Sequence, residues 1–145
     1  MKTINIATVD NDEIFLFIME RYFELFDKME VQLFPLLIND PQVLLNQMHL
    51  GYSPELILLD LNMPIMNGFD FLDEYHKRSY PTRYPDTRVF ILTSSISKFD
   101  KLRASKYEIV KAFIEKDCND KELLDEIVET YMDPRIERYE YNVYA

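Results

Sequence analysis

Glycine is nearly absent: two in 145 residues, which leaves no Gly-rich phosphate loop of the Walker or dinucleotide-binding type. The one cysteine, Cys118, permits no internal disulfide and suits a reducing cytosol. No apolar run approaches the ~20 residues of a membrane span, and the N-terminus lacks the apolar core of a signal peptide. Positive charge is scarce. Lys and Arg number 16 against 26 Asp and Glu, a formal net charge of −10. A nucleic-acid or anionic-membrane surface needs the opposite balance, so neither partner is expected. The two histidines, His49 and His76, have no acid or cysteine at metal-ligand spacing and read as surface residues.

What is present is alternation. Short apolar runs alternate with amphipathic stretches, the signature of βαβ units and hence of an α/β fold with a parallel sheet. Strands are expected at Ile4–Val9, Val31–Leu36, Glu55–Asp60, Arg88–Leu92 and Ile109–Ile114. The first helix should run from Glu13 to Asp27, with Ile14, Phe15, Ile18, Tyr22, Leu25 and Phe26 as its apolar face and Asp12 as its N-cap. Asp40 caps a second helix with Pro41 at its first position, ending near Gly51. A third follows Asn67-Gly68, carrying Phe69, Leu72 and Tyr75. Ser79 to Asp86, with Pro81 and Pro85, reads as a loop. A short helix spans Lys98–Ser105. The last spans Asp120–Tyr131, capped by Asn119 or Asp120 and stopped by Asp133-Pro134. These units fill residues 1–132 as one domain. Residues 133–145 form a tail in which Tyr139, Tyr141 and Val143 alternate, as an edge strand, a docking segment or, by default, a frayed end.

The chemistry lies just past each strand. Leu56-Ile57-Leu58-Leu59 is apolar without a break, as in a strand buried on both faces, and Asp60 ends it. Strand one ends in Asp10-Asn11-Asp12, strand four in Thr93-Ser94-Ser95, and strand five in Glu115-Lys116. In a parallel sheet these ends converge on one edge, where ligands bind. Two acidic strand ends can hold a hard cation through oxygen ligands, as Mg²⁺ prefers. A hydroxyl and an ammonium opposite them suit a phosphoryl group. A carboxylate between the metal and the lysine is then a competent nucleophile toward phosphorus.

With those residues assembled, the chain from Asn5 to about Tyr131 resembles the receiver domain of two-component response regulators. The resemblance rests on Val9-Asp10-Asn11-Asp12, on Leu58-Leu59-Asp60-Leu61-Asn62-Met63-Pro64-Ile65-Met66-Asn67-Gly68, on Ile91-Leu92-Thr93-Ser94 and on Phe113-Ile114-Glu115-Lys116, all in order. It implies a doubly wound, flavodoxin-like sheet of five parallel strands in the order 2-1-3-4-5. Asp60 would accept a phosphoryl group from a histidine kinase or a histidine phosphotransfer protein. Asp10, Asn11, Asp60 and the Asn62 carbonyl would hold Mg²⁺. Thr93 and Lys116 would stabilise the phosphoryl group, and Thr93 and Phe113 would form the switch. The protein would be a cytoplasmic signalling domain of the single-domain type, a phosphoacceptor and not a turnover enzyme. It would act through a downstream protein target, and through a homodimer formed by the helix after strand four, strand five and the last helix. The acidic surface favours a target with basic residues.

Two residues depart from that family's pattern. Asn11 stands where a second acid is usual. Asp10, Asp60, a dication and Lys116 then sum to a formal +1, where a third carboxylate would give zero. Weaker Mg²⁺ binding follows, unless Asp12 swings in. Asp117 stands where proline is common after the lysine, and a non-proline cis bond costs about 3–4 kcal/mol, so a trans bond is expected, with Lys116 displaced or partly paired with Asp117. These departures support an alternative, a pseudo-receiver that binds proteins without being phosphorylated. An aspartate-nucleophile phosphatase of the haloacid-dehalogenase type fits poorly: its second carboxylate, two residues on, is here Asn62, which cannot donate a proton in that way.

Overall fold

The computed structural model of the chain describes residues 1–28, 30–94 and 97–138. Five strands, β1 (Lys2–Val9), β2 (Val31–Ile38), β3 (Leu56–Leu59), β4 (Arg88–Thr93) and β5 (Val110–Glu115), form one parallel sheet ordered β2-β1-β3-β4-β5. Helices α1 (Glu13–Leu25) and α6 (Leu123–Met132) cover one face. The other face carries α2 (Pro41–His49), α3 (Gly68–Lys77), a single turn α4 (Tyr80–Arg83) and α5 (Lys98–Ala104). This is the doubly wound flavodoxin-like architecture. None of its described helices is long and apolar enough to cross a membrane.

The unbroken apolar run of β3 is explained by this layering. Leu56 and Leu58 pack among the residues of α1 and α6, while Ile57 and Leu59 pack against α2 and α3, and all four are fully buried. At the opposite extreme, β2 is an edge strand that contains Pro35. The carbonyls of Glu30 and Ile38 accept from Lys2 and Asp10 of the β1 side, so even-numbered residues turn their backbone groups inward. Pro35, an odd position, turns outward, where its missing N–H breaks no ladder bond.

Several expectations are corrected in detail. In α1 the buried residues are Phe15, Leu16, Met19 and Phe23, whereas Ile14 and Leu25 are exposed. Phe15 to Met19 is apolar without interruption, so periodicity could not fix the buried face. Packing against β1, β3 and α6 does. The segment Ser79–Asp86 is not an open loop. Its helical turn aims Tyr80 and Tyr84, both buried, at the carbonyls of Leu45 and Met48, while Arg83 donates to that of His49. Side chains thus add donors to the carbonyls of the last turns of α2, where the Gly51 amide already bonds that of Met48.

The last helix begins at Leu123, later than expected. Asp117 and Asp120 each accept from the amide two residues on, so turns occupy the approach to the helix. Asn67 itself is the N-cap of α3, in a reciprocal capping box with Asp70. Beyond the expected stop at Asp133-Pro134, residues Pro134–Arg138 form a 3-10 helix that buries Ile136. Ser95 and the alternating Tyr139, Tyr141 and Val143 lie outside the described residues.

Candidate functional site

Sheet register builds the site. Val9 of β1 pairs with Leu59 of β3, so the next residues, Asp10 and Asp60, leave the sheet side by side. Leu59 pairs with Ile91, and two residues later β4 delivers Thr93, which is paired with Glu115 of β5. The Lys116 amide then donates to the Thr93 carbonyl at 2.8 Å, setting the lysine beside the threonine. Asp10, Asp60 and Thr93 are all buried, at 1%, 5% and 0% exposure, which is unusual for carboxylates unless they are paired.

The side chains interlock. Asp10 Oδ2 accepts from Lys116 Nζ at 2.8 Å, and Asp60 Oδ2 lies 3.9 Å from the same ammonium. Asp10 Oδ1 accepts from the Asp12 amide, and Asp60 Oδ1 from the Asn62 amide. The Asn62 side chain donates to Thr93 Oγ1 at 3.4 Å. A family model, the response regulator receiver domain, matches residues 6–128.

The chain belongs to the response regulator receiver family.

Solved structures agree on the fold of this receiver. A two-component response regulator from Cytophaga hutchinsonii is 20% identical with a TM-score of 0.70, over 92% of this chain and 100% of that one. A CheY-like receiver domain protein from Methanospirillum hungatei JF-1 is 20% identical with a TM-score of 0.68, over 96% and 98%. A response regulator in its Mn²⁺-bound form is 21% identical with a TM-score of 0.65, over 86% and 88%. No curated protein matches the chain significantly in sequence.

Within the receiver, the structure brings together Asp10, Asp60, Asn62, Thr93 and Lys116. Asn11 is not drawn into that cluster. It is exposed and lines a groove with Asn39, Pro41, Gln42, Met63 and Pro64. Phe113 is buried, with the Lys101 ammonium 5.8 Å from its ring centroid. Asp12 caps α1, accepting from the amides of Ile14 and Phe15, as its position in the sequence suggested. Two expectations about Lys116 separate. Its bond to Asp117 is trans, but the lysine is not displaced: it reaches Asp10, while the Asp117 carboxylate accepts from the Asn119 amide.

Burial pushes the Asp60 carboxyl up from 3.8 to about 6, and the nearby Asp10 charge adds to the shift. The Asn62 and Leu61 amides and Lys116 act the other way without cancelling it. One ammonium therefore does not fully neutralise two buried carboxylates. A hard divalent cation would, and two carboxylate oxygens with a backbone carbonyl and waters are a donor set it accepts. Among the described residues no group of three or more His, Cys, Asp or Glu stands where it could hold a metal. Any such site draws on amide and carbonyl oxygen as well.

Sequence reading missed Phe15 as a member of this constellation. Its ring centroid lies 4.6 Å from Lys116 Nζ. The residue was legible only as one of a run of apolar helix residues. The β3–α3 connection also holds strain: Ile65, wholly exposed, has a φ of 69°, with the Met66 amide donating to the Pro64 carbonyl across it. That conformation is rare for a β-branched residue.

Proposed function

We propose that Asp60 of this receiver accepts a phosphoryl group from a histidine kinase or a histidine phosphotransfer protein, in a Mg²⁺-dependent reaction. The observation that carries this reading is the pair of buried carboxylates, Asp10 and Asp60, sharing one ammonium at 2.8 Å and 3.9 Å. An Asp60 carboxylate oxygen attacks phosphorus while the bond from phosphorus to the donor's imidazole nitrogen breaks, and the imidazole leaves with that electron pair. Asp10, Asp60 and the Asn62 carbonyl would hold the Mg²⁺, with the exposed Asn11 turning in to add an amide oxygen, and the bound ion would offset phosphoryl charge. Thr93 Oγ1 accepts from the Asn62 side chain, and with a phosphoryl group bound its hydroxyl would donate to a phosphoryl oxygen. Lys116 sits within reach of the same group and neutralises charge on it.

The signal is a change of protein contacts. Thr93 ends β4 and Lys116 directly follows β5, so drawing them toward a phosphoryl group shifts the surface made by α5, β5 and α6. Phe113, buried in β5, is the switch residue coupled to Thr93. The same surface serves a downstream target or a second copy of the chain. The protein works in the cytoplasm and assists its own phosphorylation and dephosphorylation without acting as a turnover enzyme.

Incubation with acetyl phosphate and Mg²⁺, followed by intact mass, tests this. The chain should gain one phosphoryl group, and Asp60→Asn or added chelator should prevent it. A chain that stays unmodified is a pseudo-receiver, the second reading, for which the exposed, uncharged Asn11 and the Asp117 that follows Lys116 are the support. Asn11→Asp should tighten Mg²⁺ about tenfold or more, since it adds a charge within a few ångströms of the cation. Titration calorimetry that found equal affinities would refute that role for residue 11.

A further inference from the structure

Lys116 meets more than carboxylates. Its side chain is 11% exposed and its ammonium lies over the face of Phe15, which is itself 1% exposed. An ammonium has three donors and is strongly hydrated in water. Here one side is taken by Asp10 and another faces Asp60. The next surface the ammonium meets is the electron-rich face of an aromatic ring, which attracts a cation where hydrocarbon would not.

The placement of that ring follows from the cap of α1. Asp10 Oδ1 accepts from the Asp12 amide at 2.8 Å, and Asp12 Oδ1 accepts from the Phe15 amide at 3.2 Å. The Phe15 ring faces Lys116 Nζ, which returns to Asp10 Oδ2 at 2.8 Å. These four contacts close a loop: carboxylate, cap, ring, ammonium. Asp10 and Phe15 therefore present themselves to the lysine as one rigid unit.

We infer that Phe15 is a positioning residue for Lys116, holding its ammonium between Asp10 and Asp60 by a cation–π contact fixed through the Asp12 cap. The inference rests on the reading of Lys116 as the counter-charge of the phosphoryl group, but its geometry can be tested without any phosphorylation. In NMR spectra of the full chain, the ε-methylene protons of Lys116, assigned by their loss in Lys116→Arg, should lie upfield of those of the other lysines. Phe15→Tyr, which keeps the ring, should keep that shift, and Phe15→Met, which keeps most of the volume, should abolish it.

With acetyl phosphate and Mg²⁺, Phe15→Met should label Asp60 about tenfold more slowly at saturating donor, with Phe15→Tyr within about twofold of the parent. Ordinary shifts for Lys116 in the parent would overturn the inference, as would a folded Phe15→Met that labels at the parental rate. A parent that is never labelled removes the phosphoacceptor reading, and the positioning role is then decided by the proton shifts alone. If Phe15→Met does not fold, the parent and Phe15→Tyr spectra decide it.

Discussion

Asp60→Asn is expected to melt several degrees above the parent chain near neutral pH while losing phosphoryl acceptance altogether. Loss of acceptance follows because an amide has no anionic oxygen to attack phosphorus. The gain in stability follows from the carboxyl that burial and Asp10 push up to about 6. A group whose folded value lies above its unfolded value binds its proton more tightly in the native state. Its favourable contribution is complete below the unfolded value of 3.8 and is lost as pH rises through about 6. At neutral pH the ionised carboxylate then costs the fold on the order of 1–3 kcal/mol, which asparagine avoids.

Thermal melts across pH should show the advantage of Asp60→Asn shrinking as pH falls toward about 4. Mg²⁺ should narrow the gap at neutral pH by stabilising the parent more than the variant. Equal melting temperatures for the two chains at neutral pH would show that Lys116 already compensates for both charges.

Gly68→Ala should be the most damaging single methyl group that can be added near the site. A Cβ at residue 68 would sit 2.7 Å from the Asp60 carbonyl oxygen and 2.8 Å from Leu61 Cα. These are backbone atoms, which cannot swing aside as a flexible side chain would. The Gly68 amide also donates to the Leu61 carbonyl at 3.0 Å, so the first turn of α3 is bonded to the segment it would crowd. Overpacking of this kind costs about 1–3 kcal/mol or more, and the displaced backbone is the one that carries Asp60. Denaturant unfolding should show the loss, and acetyl phosphate labelling should fall with it. Gly51→Ala is the control. Nothing lies within 4 Å of a Cβ there, but φ is +106°, so about 1–2 kcal/mol of backbone strain should appear with labelling intact. A Gly68→Ala chain as stable as the parent would mean that α3 can slide away from β3.

The parts of the fold legible in the sequence are those that local chemistry decides alone. Leu56–Leu59 had to be buried on both faces, Asp40-Pro41 had to start a helix, and Asn67-Gly68 had to open another. Once the strands were parallel, Asp10, Asp60, Thr93 and Lys116 had to share an edge. What stayed hidden depends on partners distant in the chain. The buried face of α1 could not be chosen from a stretch apolar on every side. The turn at Tyr80–Arg83 exists because carbonyls at the end of α2 accept from Tyr80, Arg83 and Tyr84, and Pro81 concealed it. The aim of Lys116 was hidden for the same reason: it is set by Asp10 and Phe15, a hundred residues earlier, and not by its neighbour Asp117.

One residue of β2 bears on how copies of this protein behave when crowded. Leu33, Phe34, Leu36 and Leu37 are all at least partly accessible on that outer strand, a sticky rim for any passing polypeptide in search of a sheet to extend. Pro35 offers a newcomer an oxygen but no hydrogen, with a ring in the way. Zippering from that side stalls midway, and fibre-like stacking is denied its template.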